Sequence, residues 1–248
     1  MSKISVTTIA GLTSGGDANK VKIESGDDLV VESGGIGIGT TSPTQDLTIV
    51  NSGSARMELV SGTSGTSIID MGDSADKDIG GIRYAQGTDT LQFRAGNDVR
   101  MSIDGSGRVT MPNTPRFLAR KNTSSWTLSA NSIMVWDTAA SNTYDGYNIG
   151  SHYNTSNGKF TCPVAGTYYF EATSIINESV SNGFWAIRKN GSAVQEQHIS
   201  QSNTSWHAHH IAYAGEFAAN DTVEVYLGSA PTGFYGQRWS YFHGRMIG

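Results

Sequence analysis

Gly158-Lys-Phe-Thr-Cys-Pro-Val-Ala-Gly-Thr-Tyr-Tyr-Phe170 reads as strand, corner, strand. Phe160 closes one alternating run. Pro163 has no N–H to give a ladder and Gly166 tolerates backbone angles closed to other residues, so Pro-Val-Ala-Gly turns the chain. Beyond the corner, Tyr168, Phe170 and Ala172 alternate with Thr167, Tyr169 and Glu171, the period-two pattern of a half-buried strand. Phe160, Tyr168 and Phe170 are therefore expected in one core.

Working outward, Tyr153-Asn154, Gly158, Phe160, Pro163, Gly166, Tyr168 and Phe170 are spaced as one set. Lys189-Asn190-Gly191, Phe217-Ala-Ala-Asn-Asp-Thr-Val-Glu-Val-Tyr-Leu227 and Ser240-Tyr-Phe242-His-Gly244 follow. Together these resemble the globular head of complement one-q, a jelly roll related to tumour necrosis factor. The resemblance spans about residues 116–248. It implies an all-β head, a ten-stranded jelly-roll β-sandwich, which is trimeric, non-enzymatic and binds ligands through exposed surfaces. It also implies that both termini lie at the base and that the connections 177–183, 200–205 and 229–237 share the opposite end. Asn177, Glu178, Asn182, Ser202, Asn203, Phe234 and Tyr235 of these loops mix polar groups with aromatics, as suits a receptor-binding surface for glycan or protein. Asn190-Gly191 independently marks a type I′ hairpin turn.

The 248 residues are unevenly composed. All five Trp follow residue 115, and Tyr84 and Phe93 are the aromatic residues before it. Residues 1–115 carry 14 acidic and 9 basic residues, the remainder 8 of each. With 37% hydrophobic residues and 30 glycines, one large compact core is not expected. Two regions built on different principles are.

The front region alternates short strand-like runs with Gly-rich turns. Gly37-Ile-Gly-Thr-Thr-Ser-Pro43, followed by Leu47-Thr-Ile49, lacks the helix and Gly-Lys-[Ser/Thr] of a phosphate loop. It resembles a phrase common in phage tail fibres and related bacterial surface fibres, where glycines let chains approach closely. Gly80–Tyr84 and Thr90–Arg94 read as a hairpin around 85–89, and Val99–Met111 as another. Tyr84, Leu91, Phe93, Met101 and Ile103 are candidates for a small core shared between copies of the chain. Pro112-Asn-Thr-Pro115 stops strand pairing from running on. The expected organisation is a virion-attachment segment, 1–35, a trimeric β-rich shaft with hairpins, 36–115, and the jelly-roll head, 116–248.

Net charge is −5 with no basic cluster, which argues against a nucleic-acid partner. The N-terminus has no apolar signal-type region and no run of 18 apolar residues occurs, so neither export by signal peptide nor membrane insertion is expected. Cys162, the one cysteine, reads as a buried structural thiol. No nucleophile-elbow motif occurs, and enzyme activity is not expected. His207 and His209 share a strand face. One such histidine per chain near a trimer axis would give three ligands for Zn²⁺ or Ni²⁺; set against this is the plainer reading of hydrogen-bonded histidines, with no cofactor.

The sequence thus reads as a homotrimeric bacteriophage tail fibre or receptor-binding protein, made in the host cytoplasm and carried on the virion for host attachment. It would join a phage tail or capsid protein through its N-terminal segment and a host surface glycan or protein through its head. A capsid decoration fibre, a baseplate or tail adaptor, and a bacterial lectin-like adhesin are the alternatives.

Overall fold

The computed structural model describes residues 30–31, 34–138, 146–176, 178–204, 206–229 and 233–248. The expected attachment segment 1–35 falls almost wholly outside them. The described residues are all-β apart from one turn of 3₁₀ helix, and the chain divides into two compact units, residues 1–60 and 61–248. No helix among the described residues is long and apolar enough to cross a membrane.

In the first unit β1 (Ile36–Ile38) and β2 (Leu47–Ile49) pair in parallel. The short connection folds back over the strand. A Cβ on Gly35 would stand 2.4 Å from the Gln45 carbonyl oxygen, and one on Gly37 2.5 Å from that of Thr40. The glycines therefore permit a close approach, as expected, but the approaching backbone is the chain's own.

The second unit opens with a five-stranded meander: β3 (Thr66–Met71), β4 (Gly80–Ala85), β5 (Thr90–Ala95), β6 (Asp98–Ile103) and β7 (Val109–Thr110). The two expected hairpins are present, and a third turns at Gly96-Asn97, both at positive φ. Register sorts the side chains by face. Ile69, Ile82, Phe93 and Met101 form one cross-strand row; Tyr84, Leu91, Ile103 and Val109 form the next row on the same face. The other face carries Asp70, Arg83, Gln92, Arg94 and Ser102, with Arg83 3.2 Å from Asp70, and one exposed apolar residue, Ile68, opposite Arg83. The apolar face is open: Ile69 and Phe93 are each 36% exposed, Met71 and Val109 each 52%.

The head starts at β8 (Arg116–Arg120). Then come β9 (Ser125–Thr127), β10 (Ser132–Ile133), β11 (Tyr147–Ile149), β12 (Tyr153–Asn154), β13 (Lys159–Thr161), β14 (Gly166–Ile176), β15 (Val180–Lys189), β16 (Ser192–Gln201), β17 (His207–Phe217), β18 (Thr222–Ser229), β19 (Gly233–Tyr235) and β20 (Tyr241–Met246). These are thirteen strands among the described residues, against an expected ten. Several are two- or three-residue pieces that a local pattern does not mark. One sheet has the order β12-β13-β18-β15-β16, with β10 also on β18. The other runs β11-β8-β20-β14-β19-β9, with β17 along the opposite edge of β14.

The corner at 162–165 carries the chain from one sheet to the other. Phe160 on β13 and Phe170 on β14 face each other with ring centroids 5.5 Å apart; Phe117 lies 5.1 Å from Phe160 and Phe242 6.2 Å from Phe170. Phe160, Tyr168 and Phe170 are fully buried. Alternation along β14 runs its whole length, burying Tyr168, Phe170, Ala172, Ser174 and Ile176. Cys162 is buried in the corner, where desolvation first and the Asp221 charge second push its thiol up to about 12. That fits a structural thiol. Asn190 and Gly191 both take positive φ, as the type I′ turn between β15 and β16 requires.

The ends of β14 define the ends of the head. At its start, Thr167 N–H donates to the Gly248 carbonyl, and Met246 N–H to that of Pro115, so both head termini meet there. Its far end pairs with His207 and Phe234.

Gly244 sits where the rings crowd. A Cβ there would be 2.5 Å from Cδ1 of Phe170 and 2.6 Å from Cε1 of Phe117. Gly244→Ala should therefore destabilise the head by about 1–3 kcal/mol, through overpacking. A denaturant midpoint equal to that of the wild type would show that the rings are not tightly held.

Candidate functional site

The far end of β14 gathers residues of three connections, the end at which the resemblance places them. Strand β15 starts earlier than the pattern suggested, through a bulge between Val180 and Gly183, so the first connection is short. Glu178 Oε1 accepts the Gly233 N–H at 3.0 Å. Gln201 Nε2 donates to the carbonyl oxygens of Glu178, at 2.5 Å, and of Asn203. Glu178, Gln201, Asn203 and Gly233 thus tie the connections into one polar network.

The loop residues divide. Tyr235 lies half-buried on this surface, and Ser202 and Asn203 are exposed. Asn182 belongs to β15 rather than to a loop; it takes φ 65° at the bulge, and its carbonyl accepts the Ser229 hydroxyl. Phe234 is 2% exposed and packs on Trp126, ring centroids 5.2 Å apart. It is a core residue, because alternation on β19 turns Phe234 inward and Tyr235 outward. Asn177 lies outside the described residues.

His207 and His209 share a face, each bonded to a side-chain amide oxygen: His207 Nε2 is 2.9 Å from Asn203 Oδ1, and His209 Nε2 3.0 Å from Gln201 Oε1. Both belong to the polar network. Burial, then the neighbouring His207, lowers the His209 pKa. Among the described residues no three of His, Cys, Asp and Glu stand together as a metal site within the chain.

Two residues join this surface that the sequence did not single out, Trp206 and Trp239. Trp206, just before β17, is 54% exposed. Its ring is 4.1 Å from that of Tyr235 and 5.7 Å from that of Trp239, which sits on the 3₁₀ turn Gln237–Trp239. Tyr235 and Trp239 are 5.9 Å apart, so the three rings form a closed cluster with one member presented to solvent. Beside it is a cavity of about 550 Å³, lined by Trp126, Tyr235 and Trp239 with Ser124, Ser125 and Thr127. Confinement of all five Trp to the head was the one hint in the sequence; Trp206, Tyr235 and Trp239 meet only through the pairing of β14 with β17 and β19.

A second polar cluster covers the outer face of the β14 sheet. Glu171 accepts the Tyr169 hydroxyl at 2.7 Å; His210 Nε2 and His243 Nδ1 stand 3.5 Å from its oxygens. Burial works to raise the Glu171 pKa, but the bonds from Tyr169 and His210 and the nearby imidazoles outweigh it and hold the carboxyl below its ordinary value. Burial holds the His243 imidazole below its ordinary value, against the pull of Glu171.

Comparison with known proteins places the match on the head. A profile for the C1q domain matches residues 117–247. Among solved structures, the globular domain of zebrafish complement 1qA protein is 16% identical over 54% of this chain and 98% of its own, with a TM-score of 0.40. Eiger TNF from S. frugiperda is 11% identical, over 55% of this chain and 94% of its own, at 0.44. Murine APRIL is 8% identical, over 54% and 99%, at 0.44. No curated protein matches.

The imidazoles make stability depend on pH. His152, His209 and His243 all titrate below their ordinary 6.5 when folded. The unfolded chain then binds more protons as pH falls through 6.5 toward the folded values, so stability is lost in that window. Glu171, lowered from 4.5, adds a further loss below that pH. The thermal midpoint should fall between pH 7.5 and pH 5, and His243→Asn should flatten part of the slope. A midpoint that rises with acidification would contradict the assignment.

Proposed function

This chain belongs to the C1q domain family, and on that premise we propose that it is a homotrimeric fibre of a bacteriophage virion whose head binds the host cell surface. The observation that carries this reading is the open apolar face of the β3–β7 sheet. A soluble sheet with one polar and one apolar face buries the apolar one against something. Burying a side chain such as Phe93 or Ile82 contributes about 1.5–3 kcal/mol. Two rows of such residues, contributed by each of three chains, give a core that the single sheet lacks. A symmetric oligomer of identical chains is the simplest partner, since every copy brings the same face.

The rest of the chain fits around that shaft. The front segment, including Ile4–Ile9, would join a tail or capsid protein, and the head would point its aromatic cluster outward. Trp206, Tyr235 and Trp239 lie at the end of the head opposite Pro115, where the chain enters from the shaft. That end is the one a cell surface would meet. The family gives the head a binding role; the resemblance of 37–49 to tail-fibre phrases supports the phage assignment.

The full chain should run near three times its 26.4 kDa mass in native mass spectrometry. Phe93→Asp should shift it to the monomer, by charging the shared core. A monomeric wild type would overturn the fibre. Antibody to the chain should label tails in electron micrographs of phage particles; labelling of no particle would overturn the virion assignment.

A further inference from the structure

We propose that the aromatic end of the head is a carbohydrate site whose ligand is a sugar bearing a carboxylate, a uronic-acid-type pyranoside; this rests on the reading that this end of the head meets the cell surface. Three observations converge on it.

The first is the ring cluster. An isolated exposed Trp is adaptable, but Trp206 is held by Tyr235 at 4.1 Å and braced edge-on by Trp239. A rigid aromatic face at low entropic cost suits the flat, C–H-lined side of a pyranose ring. The second is the adjacent cavity. Its apolar walls are interrupted by the polar residues Ser124, Ser125 and Thr127, as small-molecule sites are.

The third is charge. Arg238 is exposed, and its guanidinium lies 4.7 Å over the ring of Trp239. Stacking on the ring limits the motion of the fork while its N–H edges stay free. No carboxylate pairs with Arg238 among the described residues. Lys121 is paired with Asp137 at 2.7 Å, and Arg120 gives Nη1 to the Arg238 carbonyl oxygen and lies 5.8 Å from the centre of the Tyr241 ring. Of these cations Arg238 keeps its fork free, next to Trp239 of the cavity wall, and a planar fork is matched to a carboxylate. A neutral sugar would use the rings and hydroxyls but leave that charge without a partner. A proline-rich or other peptide would have no use for it unless acidic.

The test uses the full-length protein with two probes, methyl β-D-glucuronide and methyl β-D-glucoside. Binding is followed by tryptophan fluorescence and by saturation-transfer NMR. The glucuronide should bind about fivefold more tightly than the glucoside, the factor expected of one solvated ion pair. Arg238→Gln should abolish that difference while leaving the native mass unchanged. Trp206→Ala should weaken both sugars. Equal binding of the two sugars by the wild type, or an undiminished preference in Arg238→Gln, would overturn the charge assignment. Binding of neither sugar would overturn the carbohydrate site. If Trp206→Ala then still abolished adsorption to cells, the receptor reading would stand with a protein as the ligand. If adsorption were untouched, both would fall.

Discussion

The fold depends on aromatic rings meeting across the gap between two sheets. Phe160 stands on one sheet and Phe170 on the other, with four residues of corner between their strands. Phe117, Tyr153 and Phe242 complete the packing, and Tyr153 adds a polar clamp: its hydroxyl donates to the Trp136 carbonyl and accepts the Trp136 N–H. Each large ring removes more apolar surface from water than an aliphatic side chain could, which lets a chain with 37% hydrophobic residues close a compact head. Gly244 is the geometric cost of that solution, since the rings leave no room for a Cβ.

The β3–β7 sheet answers the same physical problem without the rings. It has two aromatic residues, Tyr84 and Phe93, and one apolar face with no second layer supplied by its own hairpins. The head buries its apolar surface within one chain; the front sheet leaves its apolar surface exposed. Uneven aromatic content along the sequence is the chemical record of that division.

What the sequence shows and what it hides follows the range of the interaction. The corner, the alternation of β14 and the Asn190-Gly191 turn are local, and all three stand where the pattern placed them. Phe234 and Tyr235 are adjacent, yet one enters the core and the other meets solvent. Their strand is three residues long and exists because it pairs with β9 and the end of β14, neither of which is near in sequence. The same long-range pairing assembles Trp206 with Trp239, so the most exposed part of the candidate site is the part least written in any one stretch. Asn182 differs for another reason: it is expected in a connection, but its positive φ makes a bulge inside β15.

The two outer faces of the head differ in how completely one chain satisfies them. On the β18 sheet, Glu224 is nearly buried yet flanked in register by Lys159, whose Nζ is 3.0 Å from Oε2, and by Arg188, whose Nε is 3.7 Å from Oε1. Arg188 also covers the ring of Tyr226 at 4.2 Å. Two cations thus stand against one nearly buried carboxylate, although its Oε2 makes no hydrogen bond of good geometry. The β14 sheet is less complete. Its His243 Nδ1 is buried but makes no hydrogen bond, standing 3.5 Å from a Glu171 oxygen. Tyr147, Tyr169 and Tyr241 lie half-buried around it. A surface of half-buried aromatics gains from further burial. If copies of the head meet, the β14 face is therefore the one with free energy to release, and the acid sensitivity of its imidazoles would pass to the assembly.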